Sequence, residues 1–155
     1  MRVLRPAAEA DVDELIELAR RSWLSAFAQT APWPIIESWA IADRTSAHYR
    51  KHWRDMLVLV EAGRILGLVQ PIEAEINGLW VHPADQGTGV GSRLLHAGED
   101  AIRAAGHATA WLHCSAFNPR ALAFYAKRGY VEKRRVTSTH PAGLTYEDVR
   151  MEREL

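Results

Sequence analysis

The sequence has little cysteine, no net charge and no long apolar run. Cys114 is the single cysteine, and 19 Lys and Arg balance 19 Asp and Glu. One cysteine excludes a disulfide within the chain and a zinc site built from several cysteines. Zero net charge argues against general binding to nucleic acid or to an anionic membrane, both of which favour a basic excess. No stretch approaches the roughly 18 apolar residues of a membrane-spanning helix, so we expect neither a nucleic-acid nor a membrane partner.

The N-terminal segment also lacks the apolar centre of a secretory signal. Acidic residues begin at Glu9 and recur at Asp11, Asp13 and Glu14, which is not typical of a signal peptide. Together with the single cysteine, this predicts a cytoplasmic protein. A length of 155 residues with 48% hydrophobic residues is typical of one globular domain. We expect residues 1–155 to form that single domain.

Hydrophobic periodicity and turn residues predict the order β-α-α-β-β-β-α-β-α-β-β. Ala62-Gly63 is predicted as a tight hairpin turn, and Gly106 and Gly129 are predicted to end helices. The hairpin-rich first half and the two later β-α-β-like steps indicate a mixed α/β domain. The predicted strands are 2–5, 56–61, 64–70, 74–81, 109–113, 130–136 and 145–152, and the helices are 11–27, 35–52, 87–106 and 118–129.

The most informative segment is a glycine loop with Gly87, Gly89 and Gly91 between a strand and a helix. Alternating glycines let backbone N–H groups turn towards one point, and the helix N-terminus adds unpaired N–H groups, so the loop suits a phosphate or pyrophosphate. No lysine follows the glycines, which excludes a P-loop. Ser92 stands in place of the third glycine of a dinucleotide-binding loop. A plain turn with close helix packing is the alternative interpretation.

Two motifs resemble those of the GNAT superfamily of N-acetyltransferases. Gln86-x-x-Gly89-x-Gly91 is similar to the family's Gln/Arg-x-x-Gly-x-Gly/Ala loop, whose N–H groups hold the pyrophosphate of coenzyme A. Residues 118–130 resemble the family's Asn-x-x-Ala-x-x-Phe-Tyr-x-x-x-Gly-Phe/Tyr helix. The resemblance implies a GNAT-like α/β (α+β) fold with a mostly antiparallel central sheet flanked by helices. It also allows a homodimer, since family members are often dimers.

The resemblance implies acetyl-CoA as the acyl donor and requires no metal. Asn118 would bond the pantetheine arm, although it is also a plain helix cap. Thr88 departs from the family at a position where many members carry a basic residue, which weakens the grip on phosphate without breaking the loop. The expected coenzyme-binding residues are Leu79, Trp80, Val81, Gln86, Gly87, Thr88, Gly89, Val90, Gly91, Ser92, Asn118, Ala121, Phe124 and Tyr125.

Acetyl transfer to an amine requires removal of a proton from the amine and delivery of one to the leaving thiolate. Tyr125 matches the family position that often serves as general acid. Glu75 lies eleven residues before Gln86, a spacing at which a family glutamate can act as general base through water. Glu73 or a water chain is the alternative base. Strand alternation predicts that Glu73, Glu75, Leu79 and Val81 share one face.

The predicted oxyanion contact is backbone rather than side chain. Asn77-Gly78-Leu79 is a plausible bulge, since an isolated strand glycine often marks one. The family uses a backbone N–H at such a bulge. We expect the acetyl group to contact the backbone of Leu79 and Val81.

Four of the six tryptophans, Trp23, Trp33, Trp39 and Trp53, fall in or beside the first two predicted helices. In the family this region lines the acceptor site, and aromatic rings can hold an amine by its stem or its charge. Phe27 and Trp33, with Glu73, are the predicted acceptor-site residues, and core packing is the alternative. The expected acceptor is a small-molecule or peptide amine.

Three other functions compete with acetyl transfer. The first is a coenzyme A-binding sensor domain without turnover, and the second is transfer of a different acyl group. The third is a nucleotide-binding module that uses the same anion loop. Two further pairs carry no function: His48 and His52 lack the glutamate of a zinc motif, and Cys114 and His113 point to opposite faces of a strand.

Overall fold

The computed structural model describes residues 1–139 and 143–155. The strands are β1 (Arg2–Pro6), β2 (Leu57–Glu61), β3 (Arg64–Ile72), β4 (Glu75–Val81), β5 (Thr109–Ser115), β6 (Val131–Thr139) and β7 (Thr145–Glu154). The helices are α1 (Val12–Phe27), α2 (Trp33–Ala42), α3 (Arg44–His52), α4 (Val90–Ala104) and α5 (Pro119–Ala126). None of these helices is both long enough and apolar enough to cross a membrane.

The predicted second helix is divided in two. Asp43 adopts a left-handed conformation with φ of 41°, which interrupts the backbone hydrogen bonds and separates α2 from α3. The predicted hairpin turn and the predicted start of the last helix are confirmed. Ala62 and Gly63 both have positive φ in the β2–β3 turn, and the Asn118 side chain accepts a hydrogen bond from the Ala121 N–H to cap α5.

The seven strands form one sheet in the order β1-β2-β3-β4-β5-β7-β6. Every neighbouring pair is antiparallel except β4 and β5, which run parallel. These two strands pair at Glu75 and Trp111 alone, whereas β5 and β7 pair over seven positions. The sheet therefore opens between β4 and β5 beyond that point.

Helices cover both faces of the sheet. On one face, α4 and α5 pack on a buried cluster that includes Leu94, Leu112, Tyr125 and Val149. On the other face, α1 and α3 pack on a second buried cluster that includes Leu15, Tyr49 and Leu68. The opening between β4 and β5 is thus flanked by α4 and α5 on one side and by α1 on the other.

The predicted bulge in β4 is present and corrects one expectation. Gln70 pairs with Gly78 while Pro71 pairs with Ile76, so Asn77 is the extra residue. An extra residue reverses the alternation of side chains along a strand. Ile76, Leu79 and Val81 accordingly all pack on the α4 side of the sheet. The expectation that Glu75 shares a face with Leu79 and Val81 is wrong, because Glu75 lies on the α1 side.

Candidate active site

The glycine loop joins β4 to α4. A short 3-10 turn, Pro83–Asp85, precedes it, and Gly87 and Gly89 have φ of 76° and 85°. These values favour glycine, since other residues rarely adopt positive φ. Helix α4 begins at Val90, so the unpaired N–H groups of its first turn lie at the end of the loop. The backbone therefore has the positive φ values and the unpaired N–H groups that the predicted anion site requires.

Hydrogen bonds from side chains hold this loop in place at Asp85 and Thr88. Arg64 donates two hydrogen bonds of 2.7 and 3.1 Å to the carboxylate of Asp85, and this interaction lowers the pKa of Asp85. The Thr88 hydroxyl donates 2.6 Å to the Asp85 carbonyl, and Arg2 donates 2.9 Å to the Thr88 carbonyl. The loop is thus held in place before any ligand binds.

A cavity of about 420 Å³ lies beside the loop, between α1 and α5. It brings together twelve of the fourteen predicted coenzyme-binding residues. The other two do not line it, because the Thr88 hydroxyl turns back to Asp85 and Val90 is buried in the core. Its lining is Ser22, Ser25, Ala26, Thr30, Leu79, Trp80, Val81, Gln86, Gly87, Gly89, Gly91, Ser92, Asn118, Pro119, Arg120, Ala121, Phe124, Tyr125 and Arg128.

Two arginines in this lining were missed by the sequence analysis. The Arg120 guanidinium donates to the Gln86 side chain. Arg128 donates to the Ser92 hydroxyl at 3.1 Å and lies 3.6 Å over the ring of Phe124. Both positions fall inside the second motif, where their charge and their spacing could have identified them. They provide positive charge beside the loop, where Thr88 provides none.

Tyr125 lies at the inner end of this cavity, in the buried cluster below α5. Its ring packs against Phe124 and Tyr130, with centroid distances of 5.2 and 5.7 Å. Burial raises the pKa of the Tyr125 phenol above its usual value, and the nearby Cys114 thiol adds to the effect. The phenol therefore keeps its proton at neutral pH. Its raised pKa also lies further above the pKa of a thiol than that of an ordinary tyrosine does.

Glu75 lies on the opposite face, at the single β4–β5 pair. Burial raises the pKa of its carboxyl, while His113 and Arg150 act in the opposite direction. Arg150 stacks 4.0 Å over the ring of Trp111. Glu75 is thus a half-buried carboxyl group beside the opening of the sheet, with a pKa moved towards neutrality.

The bulge is held by a buried amide on the same face as Glu75. Gln70, which is 1% exposed, accepts a 3.0 Å hydrogen bond from the Asn77 side chain through its Oε1. His48 Nε2 lies 3.0 Å from the same oxygen. The His48 side chain therefore contributes to this polar cluster, which fixes the backbone of β4 next to the opening.

A second cavity, of about 310 Å³, lies on the α1 side of the sheet. It uses residues of α1 and of the segment after β5 that are next in sequence to residues of the first cavity: Trp23 follows Ser22, and Phe117 precedes Asn118. Its lining is Trp23, Phe27, Ile35, Ser38, Trp39, Arg44, Ser115, Phe117, Tyr146 and Asp148. Of the predicted acceptor-site residues, Phe27 is among them.

The structure places the other two predicted acceptor-site residues elsewhere. Trp33 is 67% exposed at the start of α2 and does not line the cavity. Glu73 lies in the β3–β4 turn with its side chain 84% exposed, 3.5 Å from His107. Trp23 and Trp39 line the cavity in place of Trp33. They face inward from α1 and α2, whereas Trp33 is exposed.

Comparison with known proteins identifies the family of this chain. The model of the acetyltransferase (GNAT) family matches residues 12–130. An uncharacterized N-acetyltransferase of Mycobacterium tuberculosis is 31% identical, over 94% of this chain and 98% of that protein. The chain therefore belongs to the GNAT family and is an N-acetyltransferase. This assignment removes the nucleotide-binding module from the alternatives.

Solved structures share the whole fold. A GCN5-related N-acetyltransferase from Rhodopseudomonas palustris superposes with a TM-score of 0.86 at 26% identity, covering 100% of this chain and 96% of that one. The PaiA N-acetyltransferase from Thermoplasma acidophilum, solved in complex with coenzyme A, gives a TM-score of 0.80 at 22% identity, covering 100% and 99%. The mixed, mostly antiparallel sheet flanked by helices is thus the fold of the family.

Proposed function

We propose that the chain transfers an acetyl group from acetyl-CoA to a primary amine by direct attack in a ternary complex. The observation that carries this proposal is the pair of neighbouring cavities lined by adjacent residues of α1 and of the segment after β5. One is bounded by the glycine loop and the other by aromatic side chains. The two cavities share no lining residue, so both reactants can bind at once and react without a covalent enzyme intermediate.

The loop cavity is the proposed site of acetyl-CoA. Backbone N–H groups from Gly87 to Ser92 would receive the pyrophosphate, with Arg120 and Arg128 supplying the charge that Thr88 lacks. The relative from Thermoplasma was solved with coenzyme A, which supports the same ligand class here. We also propose that residues 1–155 work as one catalytic domain in the cytoplasm.

The chemistry divides between the two faces of the sheet. On the α1 side, the Glu75 carboxylate takes a proton from the amine, directly or through water, and the freed lone pair attacks the thioester carbonyl. The bulged backbone near Leu79 donates an N–H to the oxygen on which charge develops. As the C–S bond breaks on the α5 side, the Tyr125 phenol donates a proton to the thiolate. The nitrogen releases its second proton as the amide forms, and exchange with solvent returns a proton to Tyr125 and removes one from Glu75.

Replacing Glu75 with glutamine is expected to lower kcat/KM by roughly a hundredfold near neutral pH. The carboxylate must be deprotonated to act, so wild-type activity should fall as the pH drops through its raised pKa. The loss in the variant should shrink as the pH approaches the amine's own pKa of about 10, where free amine is abundant. The measurement is a pH–rate profile of both proteins.

Glu73→Gln is the matched control for this experiment, because Glu73 is exposed in the adjacent turn. We expect its profile to equal that of the wild type. Profiles of the same shape for Glu75→Gln and the wild type would rule out Glu75 as the base. A changed profile for Glu73→Gln alone would assign the role to Glu73.

Thermal unfolding with added ligands tests the donor assignment. Acetyl-CoA at about 100 times its dissociation constant should stabilise the protein by roughly 2.7 kcal/mol. For a chain of this size, that corresponds to a rise in midpoint of roughly 5–10 °C. ATP and NAD at the same concentration should give no comparable rise. A larger rise with ATP than with acetyl-CoA would contradict the assignment.

A further inference from the structure

The walls of the acceptor cavity, defined by the ten residues that line the second cavity, are mainly flat aromatic rings. Trp23 and Trp39 stack with centroids 4.2 Å apart and planes inclined by 4°. Phe27 lies 4.9 Å from Trp23, and Phe117 lies 6.2 Å from Tyr146 on another wall. Such walls favour a ligand with a planar or bulky apolar body, since aromatic pairs gain from stacking and edge contacts.

The side chain of an arginine, Arg44, lines this cavity. Arg44 is the first residue of α3 and is exposed along the cavity wall. No ion pair or hydrogen bond engages its guanidinium within residues 1–139 and 143–155. A cation at a helix N-terminus is unfavourable for the helix dipole, and the favourable basic residues of α3 lie in its last turn. Helix stability therefore gives no reason for an arginine at this position.

One carboxylate faces the same space. Asp148 lies on β7 opposite Ser115 of β5, and both line the cavity. The Asp148 side chain is half-buried and near His113. A ligand that carries only positive charge would be attracted by Asp148 and repelled by Arg44. A ligand that carries both an ammonium and a carboxylate would satisfy both groups.

We infer that the acceptor is an aromatic amino carboxylate of amino-acid size, with its carboxylate on Arg44 and its ammonium towards Asp148 and the β4–β5 opening. This inference rests on the proposed acetyl transfer to an amine. The size follows from the cavity, whose volume of about 310 Å³ lies at the lower end of the range for small-molecule sites. The aromatic body follows from the stacked walls, and the carboxylate follows from Arg44.

The test measures binding apart from turnover, with saturating coenzyme A in place of acetyl-CoA. Trp23 and Trp39 in the cavity wall report ligand binding through their fluorescence. The ligands are two pairs that differ by a carboxylate: L-phenylalanine with phenethylamine, and para-aminomethylbenzoate with benzylamine. The two pairs place the carboxylate at different distances from the amine, so the spacing between Arg44 and the ammonium site is sampled as well.

In at least one pair, the carboxylate-bearing member should bind about tenfold more tightly, the gain typical of a hydrogen bond between charged groups. Arg44→Gln should abolish that difference and leave the affinity of the plain amine unchanged. Arg50→Gln, on the same helix but paired with Asp13 outside the cavity, should change neither affinity. The Arg44 substitution removes a cation from a helix N-terminus, so loss of folding is not expected.

Three results would overturn the inference: equal or tighter binding of both plain amines, a preference for the carboxylate that survives in Arg44→Gln, or no binding of any of the four ligands. Turnover separates this inference from the proposed function. Arg44-dependent binding without acetylation would sink the transfer and leave the amino carboxylate as a ligand of this cavity but not an acceptor. Acetylation of plain amines that is insensitive to Arg44→Gln would keep the transfer and sink the inference.

Discussion

Replacing Gly89 with valine is expected to weaken acetyl-CoA binding by roughly a hundredfold. Gly89 has φ of 85°, and holding a β-branched residue there costs about 1–3 kcal/mol. A Cβ atom at this position meets no protein atom within 4 Å, so the side chain would begin in free space beside the loop. The protein should fold, and the loss should fall on the ligand that needs that space. Titration calorimetry with acetyl-CoA measures the effect.

Gly106→Val is the matched control for the loop substitution. Gly106 has φ of 93° at the end of α4 and likewise meets nothing within 4 Å. It carries the same backbone strain but lies away from the loop cavity. We expect a similar loss of stability with unchanged affinity for acetyl-CoA. If Gly89→Val keeps wild-type affinity, the loop does not hold the pyrophosphate.

Replacing Tyr125 with phenylalanine is expected to lower kcat by roughly a hundredfold with little change in acetyl-CoA affinity. The substitution keeps the ring that packs against Phe124 and Tyr130 and removes only the hydroxyl. Because the pKa of the phenol is raised, the group stays protonated across the neutral range. The expected loss should therefore be nearly constant between about pH 6 and pH 9. Steady-state kinetics over that range measure it.

Tyr130→Phe removes a hydroxyl from the neighbouring ring and serves as the control. That hydroxyl donates 3.0 Å to the buried carboxylate of Glu99, which Arg153 also contacts at 2.8 Å. Its loss should reduce stability by about 1–3 kcal/mol and leave kcat unchanged. An unchanged kcat in Tyr125→Phe, with the control behaving as expected, would remove Tyr125 as the general acid.

The lining of the loop cavity, the proposed coenzyme site, was largely predictable because its determinants are local. The glycines define a strand-to-helix loop, and Asn118 with Pro119 defines the start of α5, so both segments identify themselves by residue type and spacing. The serines of α1 that also line the cavity could not be predicted in this way. The sequence of α1 does not indicate which part of the sheet the helix packs against. Only the fold brings Ser22 and Ser25 to the loop.

The prediction of the sheet face on which Glu75 lies was wrong because simple alternation of side chains does not hold across a bulge. The bulge was predicted at Asn77-Gly78-Leu79, yet counting every second residue assumed that the pleat continues through it. Asn77 is the extra residue, so every side chain before it changes face relative to those after it. This reversal separates the proposed base from the proposed acid, with Glu75 on the α1 side and Tyr125 on the α5 side of the sheet.

The proposed acceptor cavity was the least predictable part because it depends on how five separate elements pack: α1, α2, α3, β5 and β7. Tryptophans were expected there, but sequence alone did not distinguish Trp39 from Trp33. The break at Asp43 sets where α2 ends and where Arg44 begins α3. Asp148 reaches the same cavity from β7, more than 100 residues along the chain from Arg44. Such a pairing leaves no periodic pattern in the sequence.

The most direct test of the account is release of free thiol from acetyl-CoA in the presence and absence of amines, with the mass of each acceptor recorded. We expect thiol release that requires both the protein and an amine, with one acetyl group added to the acceptor and much slower transfer by Gly89→Val when acetyl-CoA is not saturating. Stabilisation by acetyl-CoA without thiol release from a broad amine panel would contradict the account. The chain would then be a coenzyme A-binding sensor with the fold of an acetyltransferase.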